Sequence, residues 1–343
     1  LYHHTGVVTI LEADKYITEA HLFIDEGKFY SPNYWLYSTE IFLIVAALKL
    51  HVGFLWIVVI QLLVNLVATG MFYKLALTFL KDRGLAFFTT AFFIINIPYQ
   101  VYNTYLFTES LFYSLGVIFS CYLLLMNTPA ARKIIILSIL LGILCLTRPT
   151  GILFFPAACI YLFFRFFKKI SLTAKLLTVT VTAGFFLLIL NKLLGVGGSL
   201  DFMYPFRTEN IICGVPTTEA HIDTLPDGNS LEGLLYYIIH NPQQFLRLGW
   251  LKSKAFFGMR RSYYSSGHNI YLMIFYYPFY LLAIIGIIKN YKYQKSILLY
   301  LLLIIGLFWV TTLLTCDDWH NRFVLTITPW FFLIGMSALR RLS

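Results

Sequence analysis

Of the 343 residues, 59% are hydrophobic and only 12% charged. The surface of a water-soluble globule draws on about a quarter charged residues, so that class is excluded, and the apolar content excludes intrinsic disorder. The formal net charge is +10, but the basic residues form no aromatic-interleaved surface, which excludes nucleic-acid binding. What remains is an all-α polytopic membrane protein, a single membrane domain over residues 1–343. At about 20 residues per crossing, its length holds roughly eight to ten spans and one sizeable loop.

In chain order, residues 1–53 read as a first external loop, polar and aromatic up to Trp35. Trp35–Leu50 is apolar but short, and reads as an amphipathic or partly embedded helix at the outer interface. Six spans follow within 54–194: Phe54–Leu80, Leu85–Tyr102, Leu106–Met126, Ile134–Leu146, Gly151–Phe167 and Leu176–Leu194. The fourth and fifth are split at Thr147-Arg148-Pro149-Thr150, because proline disfavours helical geometry in the residue before it. Residues 195–269 form a large external loop. Within it, Asn241-Pro242 reads as a helix start, with Asn241 as cap and proline at the first helical position, and a second interfacial helix runs to Phe257. Three C-terminal spans occupy 270–343: Ile270–Ile288, Ile297–Thr315 and Phe323–Leu339.

Charge sets the sides. Fourteen basic residues fall in the turns on one side, among them Lys81, Arg83, Arg132, Lys133, Lys292 and Arg340, with one acid, Asp82. Cytoplasmic loops are enriched in Lys and Arg, so these turns are inside and the other fifteen acids outside. Most external acids sit in long loops. Glu109 does not: it stands in Thr108-Glu109-Ser110 at the mouth of a span, where a carboxylate is costly unless paired or hydrated. Cys121, Cys145 and Cys159 lie in apolar runs. Cys213 and Cys316 lie in polar segments, where both a bridge and free thiols are open readings. No Cys/His spacing suggests zinc.

Three further groups carry chemistry. Glu12-Ala13-Asp14, followed by Tyr16, offers two carboxylates expected to project together from a turn. Arg148, Arg207, Arg260, Arg261 and Arg322 lie near external span ends, and arginine grips phosphate with a planar fork of donors. Tyr263, Tyr264, His268 and Asn269 precede a span, and Asp317-Asp318-Trp319-His320-Asn321-Arg322 is a polar run longer than a turn requires.

The order of these pieces resembles the GT-C superfamily of integral-membrane glycosyltransferases, in particular the branch with protein O-mannosyltransferases and aminoarabinose transferases. Glu12-Ala13-Asp14 with Tyr16 and Ala20, then Gly27-Lys28-Phe29-Tyr30, is similar to that family's acidic first-loop motif. Pro32-Asn33-Tyr34-Trp35-Leu36-Tyr37, Thr108-Glu109-Ser110-Leu111, Leu146 to Gly151 and Asn321-Arg322-Phe323…Pro329 follow in the family's order. The resemblance implies a bundle of nine to ten transmembrane helices with external interfacial helices. Family members carry a membrane helix directly before the acidic motif, so the gene product is expected to have one ahead of residue 1.

The resemblance also implies an inverting transfer of a sugar from a polyprenyl phosphate to a hydroxyl acceptor, at the external face of a plasma membrane. Asp14 is then the general base, with Glu12 and Glu109 beside it. Arg322, Arg148, Arg260 and Arg261 meet the donor phosphate, and Tyr16, Tyr263, His268, Asn321 and Asp318 hold substrate. Metal dependence stays open, with Asp14 and Glu109 as the residues that would share Mg²⁺ or Mn²⁺. Competing readings are a transporter or flippase of a lipid-linked sugar, and a glycan ligase using a lipid diphosphate.

Overall fold

The computed structural model describes residues 6–166, 203–215 and 230–340, with scattered positions between 171 and 184. The regular elements among the described residues are all helices, with three isolated bridges besides: Val8 to Tyr105, Ile212 to Val215 and Ile212 to Asp317. The chain divides into two compact units: 1–162 with 281–299 and 328–343, and 163–280 with 300–327.

In the first unit, helix α1 (Glu12–Glu26) buries Ala13, Tyr16, Glu19 and Ala20 on one face and stops at Gly27, whose left-handed φ of 71° suits glycine. A 3₁₀ turn (Pro32–Tyr37) leads into α2 (Ser38–Lys49), and Phe23, Phe29, Trp35 and Phe42 pack their rings together across the connection. Helix α3 (Leu55–Leu80) buries Ile57, Gln61, Asn65, Ala68, Phe72, Leu75 and Phe79 at helical spacing. Its opposite face is apolar too, with Leu62, Leu63, Leu66 and Val67 exposed, as a lipid-facing helix requires. Asp82 caps α4 (Arg83–Ile94) by accepting from the Leu85 amide at 2.8 Å.

The run expected as one span from Leu85 to Tyr102 is broken. It bends by 55° between α4 and the pair formed by α5 (Ile97–Gln100) and the 3₁₀ turn Val101–Thr104. Pro98 is the cause, since it lacks the amide that would bond the Ile94 carbonyl and its ring would clash with that carbonyl if the helix ran on. Buried side chains bridge the break: Gln100 donates to the Phe93 carbonyl, Asn103 to Gln100 and the Ser110 hydroxyl to Asn103. Helix α6 (Thr108–Leu124) starts just beyond. It and α4 make the heaviest packing against α3. Helix α7 (Ala131–Thr147) ends in the turn Pro149–Leu153, and α8 (Phe154–Phe166) follows.

The second unit holds α9 (Tyr204–Arg207), α10 (Leu231–His240) and α11 (Pro242–Gly258). Its core is Met203, Phe206, Leu234, Tyr237 and Leu248. Pro242 opens α11 as expected, but Asn241 does not cap it: its amide instead donates to the Tyr237 carbonyl at the end of α10. Helices α12 (Ser266–Asn290), α13 (Lys295–Leu314) and α14 (Arg322–Ser337) run from one unit into the other. Within the first unit α12 meets α14 at Gly286, where an added Cβ would lie 2.1 Å from the Ile334 carbonyl oxygen.

Among the described residues, Leu55–Leu80, Pro149–Phe166, Ser266–Asn290 and Lys295–Leu314 are long and apolar enough to cross a membrane, and the bent pair makes a fifth if counted as one span. That is fewer than the nine runs read from the sequence. Helices α6, α7 and α14 have 17, 17 and 16 residues, and Leu176–Leu194 falls almost wholly outside the described residues.

Candidate functional site

The first unit gathers buried charge around Glu109. A parallel bridge pins residue 8 beside the start of α6: the Val8 amide donates to Thr104 O at 3.0 Å and the Leu106 amide to Val8 O at 3.2 Å. Glu109, in the first turn of α6, is wholly buried, and Arg148 donates to it through Nη1. Arg148 is extended (φ −153°, ψ 144°) because Pro149 follows it, so its side chain leaves the end of α7 instead of continuing the helix. Gly151 completes the return: a Cβ there would stand 2.5 Å from the Leu144 carbonyl oxygen. The Leu-Thr-Arg-Pro-Thr-Gly segment is thus a device for presenting one arginine.

Tyr16 is buried at the same place. Burial first, then the charges of Glu109 and Glu12, push its hydroxyl well above the usual range, while Arg148 opposes them. It therefore stays protonated and can donate. Glu12 is half-exposed, with Lys15 Nζ 3.5 Å away. Asp14 is exposed on another face of α1 and makes no hydrogen bond or ion pair among the described residues. The expectation that Glu12 and Asp14 project together fails for a simple reason. Both lie in the first turn of a helix, where residues two apart do not share a face.

Glu40 was not singled out from the sequence. It sits in α2, outside the candidate spans, and is wholly buried. Gln61 Nε2 donates to its Oε1 at 3.3 Å and to the Tyr105 carbonyl at 3.1 Å. Burial pushes Glu40 up to about 8; Gln61 pulls it back and Glu109 adds to the rise. Glu40 thus carries a proton at neutral pH. Its Oε2 and Gln61 Oε1 have no hydrogen-bond partner among the described residues.

The second unit gathers a different set. A disulfide joins Cys213 to Cys316, and Asp317 is held between strand-like neighbours, its amide donating to Ile211 O at 2.8 Å and its carbonyl accepting from the Cys213 amide at 2.9 Å. Arg261 donates to the buried Asp317 carboxylate and, through Nη1, to the Ala255 and Arg260 carbonyls. Burial raises Asp317 to about 6 against the pull of Arg261. Arg261 is thereby committed within the protein, whereas Arg260 is exposed and Arg322 buried. Asn321 donates to the Met259 carbonyl at 2.8 Å, and Asp318 accepts from the Trp319 amide. Tyr263, Tyr264, His268, Trp319 and His320 pack their rings together beside these groups. Lys252, also unmarked in the sequence, is buried and donates to the Leu313 and Thr315 carbonyls at the end of α13. Burial lowers it to about 7.

No family model, curated protein or solved structure matches the chain.

The residues expected to share a divalent cation do not fit one. Arg148 already supplies the counter-charge at Glu109, and Asp14 stands apart on an exposed face. Among the described residues no three His, Cys, Asp or Glu side chains converge as ligands. Acidic and basic groups fixed in a mostly apolar surround, with a protonated phenol and a protonated carboxyl beside them, can instead take a proton from a hydroxyl and steady a developing negative charge.

Proposed function

We propose that this chain is an inverting glycosyltransferase of the GT-C kind, moving a sugar from a polyprenyl phosphate to a hydroxyl acceptor at the external face of a membrane. The observation that carries the reading is the Glu109–Arg148 pair at the mouth of an apolar helix, joined by Tyr16 and Glu12. Buried charge at a span end is expensive and marks a working site by default. The order of the acidic segment, Glu109, the arginine-bearing return and the Asn-Arg-Phe segment supports it.

Glu12 is the general base in this reading, because it and not Asp14 joins the charged cluster. The deprotonated oxygen attacks the anomeric carbon, and the lipid phosphate leaves from the opposite face. Tyr16 donates a hydrogen bond toward the reacting oxygens. Arg148 steadies the charge gained by the phosphate. The Cys213–Cys316 bridge supports an external site, since disulfides persist in oxidising compartments.

The test is transfer or slow hydrolysis of radiolabelled polyprenyl-phosphate sugars by protein purified in detergent. Glu12→Gln should lose turnover by at least a hundredfold and Asp14→Asn should keep it; the reverse order returns the base to Asp14. A transporter of lipid-linked sugar is favoured by one feature, the broken helix at Asn96-Ile97-Pro98, since carriers use discontinuous helices. Binding of the donor without turnover would select that reading.

A further inference from the structure

The turn between α13 and α14 is held in an unfavourable backbone. His320 and Asn321 are consecutive non-glycine residues with φ of 56° and 64°. Non-glycine residues are uncommon there, and two in succession persist where the surroundings impose the conformation. Here the surroundings do so from several directions. The disulfide fixes Cys316, Arg261 and two backbone hydrogen bonds fix Asp317, and the Asn321 amide is bonded to the Met259 carbonyl.

The result is an ordered set of rings drawn from two loops. Trp319 lies 5.4 Å from Tyr263 between ring centres, tilted by 36°. His320 stands edge-on to Tyr263 and nearly parallel to Tyr264, whose hydroxyl meets its Nδ1 at 3.2 Å. Tyr264 in turn stacks on His268. Despite this packing, Trp319 is 40% and Tyr263 43% exposed. Two large rings thus stay partly exposed at fixed positions, with the exposed polar groups Arg260 and His268 in the same segment.

A belt of aromatic residues at a membrane interface is the simplest account of exposed Tyr and Trp. Such a belt needs only single rings at one depth. It requires neither interlocked rings from two loops, nor histidines within the cluster, nor a strained and covalently pinned turn. A ligand with a flat apolar face and a polar rim does require these things. The ring of a pyranose is such a ligand: its axial C–H groups lie on an aromatic face while its hydroxyls meet polar groups at the edge.

We propose that Tyr263 and Trp319 form a stacking platform for the pyranose ring of a sugar ligand. This site belongs to the second unit and goes beyond the transferase reading above. His320 and Tyr264 act as positioning residues that hold the two faces.

The experiment uses the whole chain in lipid nanodiscs, with methyl hexopyranosides and methyl pentopyranosides as probes in saturation-transfer NMR. Ring C–H protons of at least one probe should receive saturation, and Trp319→Leu and Tyr263→Leu should each weaken that contact at least tenfold. The absence of a saturable contact with every probe, or equal contact in both variants, overturns the proposal. A second readout uses the milder Trp319→Phe. The fluorescence it removes should be insensitive to brominated lipids, whereas strong quenching makes Trp319 a membrane anchor and overturns the proposal. Sugar contact without any transfer would keep the platform and remove the transferase. Transfer without any saturable sugar contact at these rings would do the opposite.

Discussion

Replacing Arg148 by Met tests whether the Glu109 pair is a true buried charge pair. The Glu109 side chain has no exposure and that of Arg148 only 12%, so the substitution takes the cation from a carboxylate with water nearly excluded. Removing one partner of a buried pair costs about 3–5 kcal/mol, whereas replacing both by uncharged groups of similar volume is often neutral or better. Methionine keeps most of the arginine stem in place, so the loss reports charge rather than packing. At about 2–4 °C per kcal/mol for a domain of this size, the unfolding temperature of Arg148→Met should fall by on the order of 10 °C. Thermal unfolding of purified protein in one fixed detergent is the assay. The Glu109→Gln, Arg148→Met double variant should recover most of the loss. A single variant within about 1 kcal/mol of wild type, or a double variant no better than the single, would refute the reasoning.

Two other outcomes follow from named contacts. Glu40 stands at about 8 in the folded protein, above its ordinary 4.5. Its contribution to stability is therefore full below about 4.5 and is lost as pH rises through 8. Glu40→Gln should flatten that decline, and parallel pH–stability curves for variant and wild type would count against a buried, protonated Glu40. Gly286→Ala places a methyl 2.1 Å from the Ile334 carbonyl oxygen, so α12 and α14 must part at a cost of about 1–3 kcal/mol. Gly306→Ala in α13 meets nothing within 4 Å and serves as the control; similar unfolding temperatures for the two would show that the helices do not meet there.

Hydropathy made the long helices legible because their outer faces are as apolar as their inner ones: α3 and α13 lie within one residue or two of their expected bounds. The break after Ile94 was hidden, since Pro98 sits inside an unbroken apolar run and its consequences are repaired by Gln100 and Asn103 rather than by charge. Glu109 stood out because it interrupts a span, and Arg148 because proline follows it. Glu40 did not, as an acid near the start of a short apolar segment reads as an interfacial residue until the fold buries it against Gln61. The phase of Glu12 and Asp14 was misread for want of a helix start. Leu11 makes no side-chain cap and adopts a left-handed φ of 63°, so nothing local announces α1. Whether Cys213 and Cys316 pair was left open by the sequence, because the two thiols lie 103 residues apart.

The broken helix also has a consequence for the lipid around it. Helix α4 has 12 residues, about 18 Å, and the following piece, turned by 55°, adds only about 7 Å along the same direction. Helix α6, with 17 residues, measures about 26 Å. Both fall short of a hydrocarbon core about 30 Å thick, while their neighbour α3, with 26 residues, exceeds it at about 39 Å. A bilayer meeting this face must thin beside α4, whereas α6 is almost wholly enclosed by protein, and α3 must lean over to stay within it. Mismatch of a few ångströms costs fractions of a kcal/mol per ångström, enough to distribute a protein unevenly between membranes. The kink at Pro98 thus bears on which membrane this chain prefers to occupy.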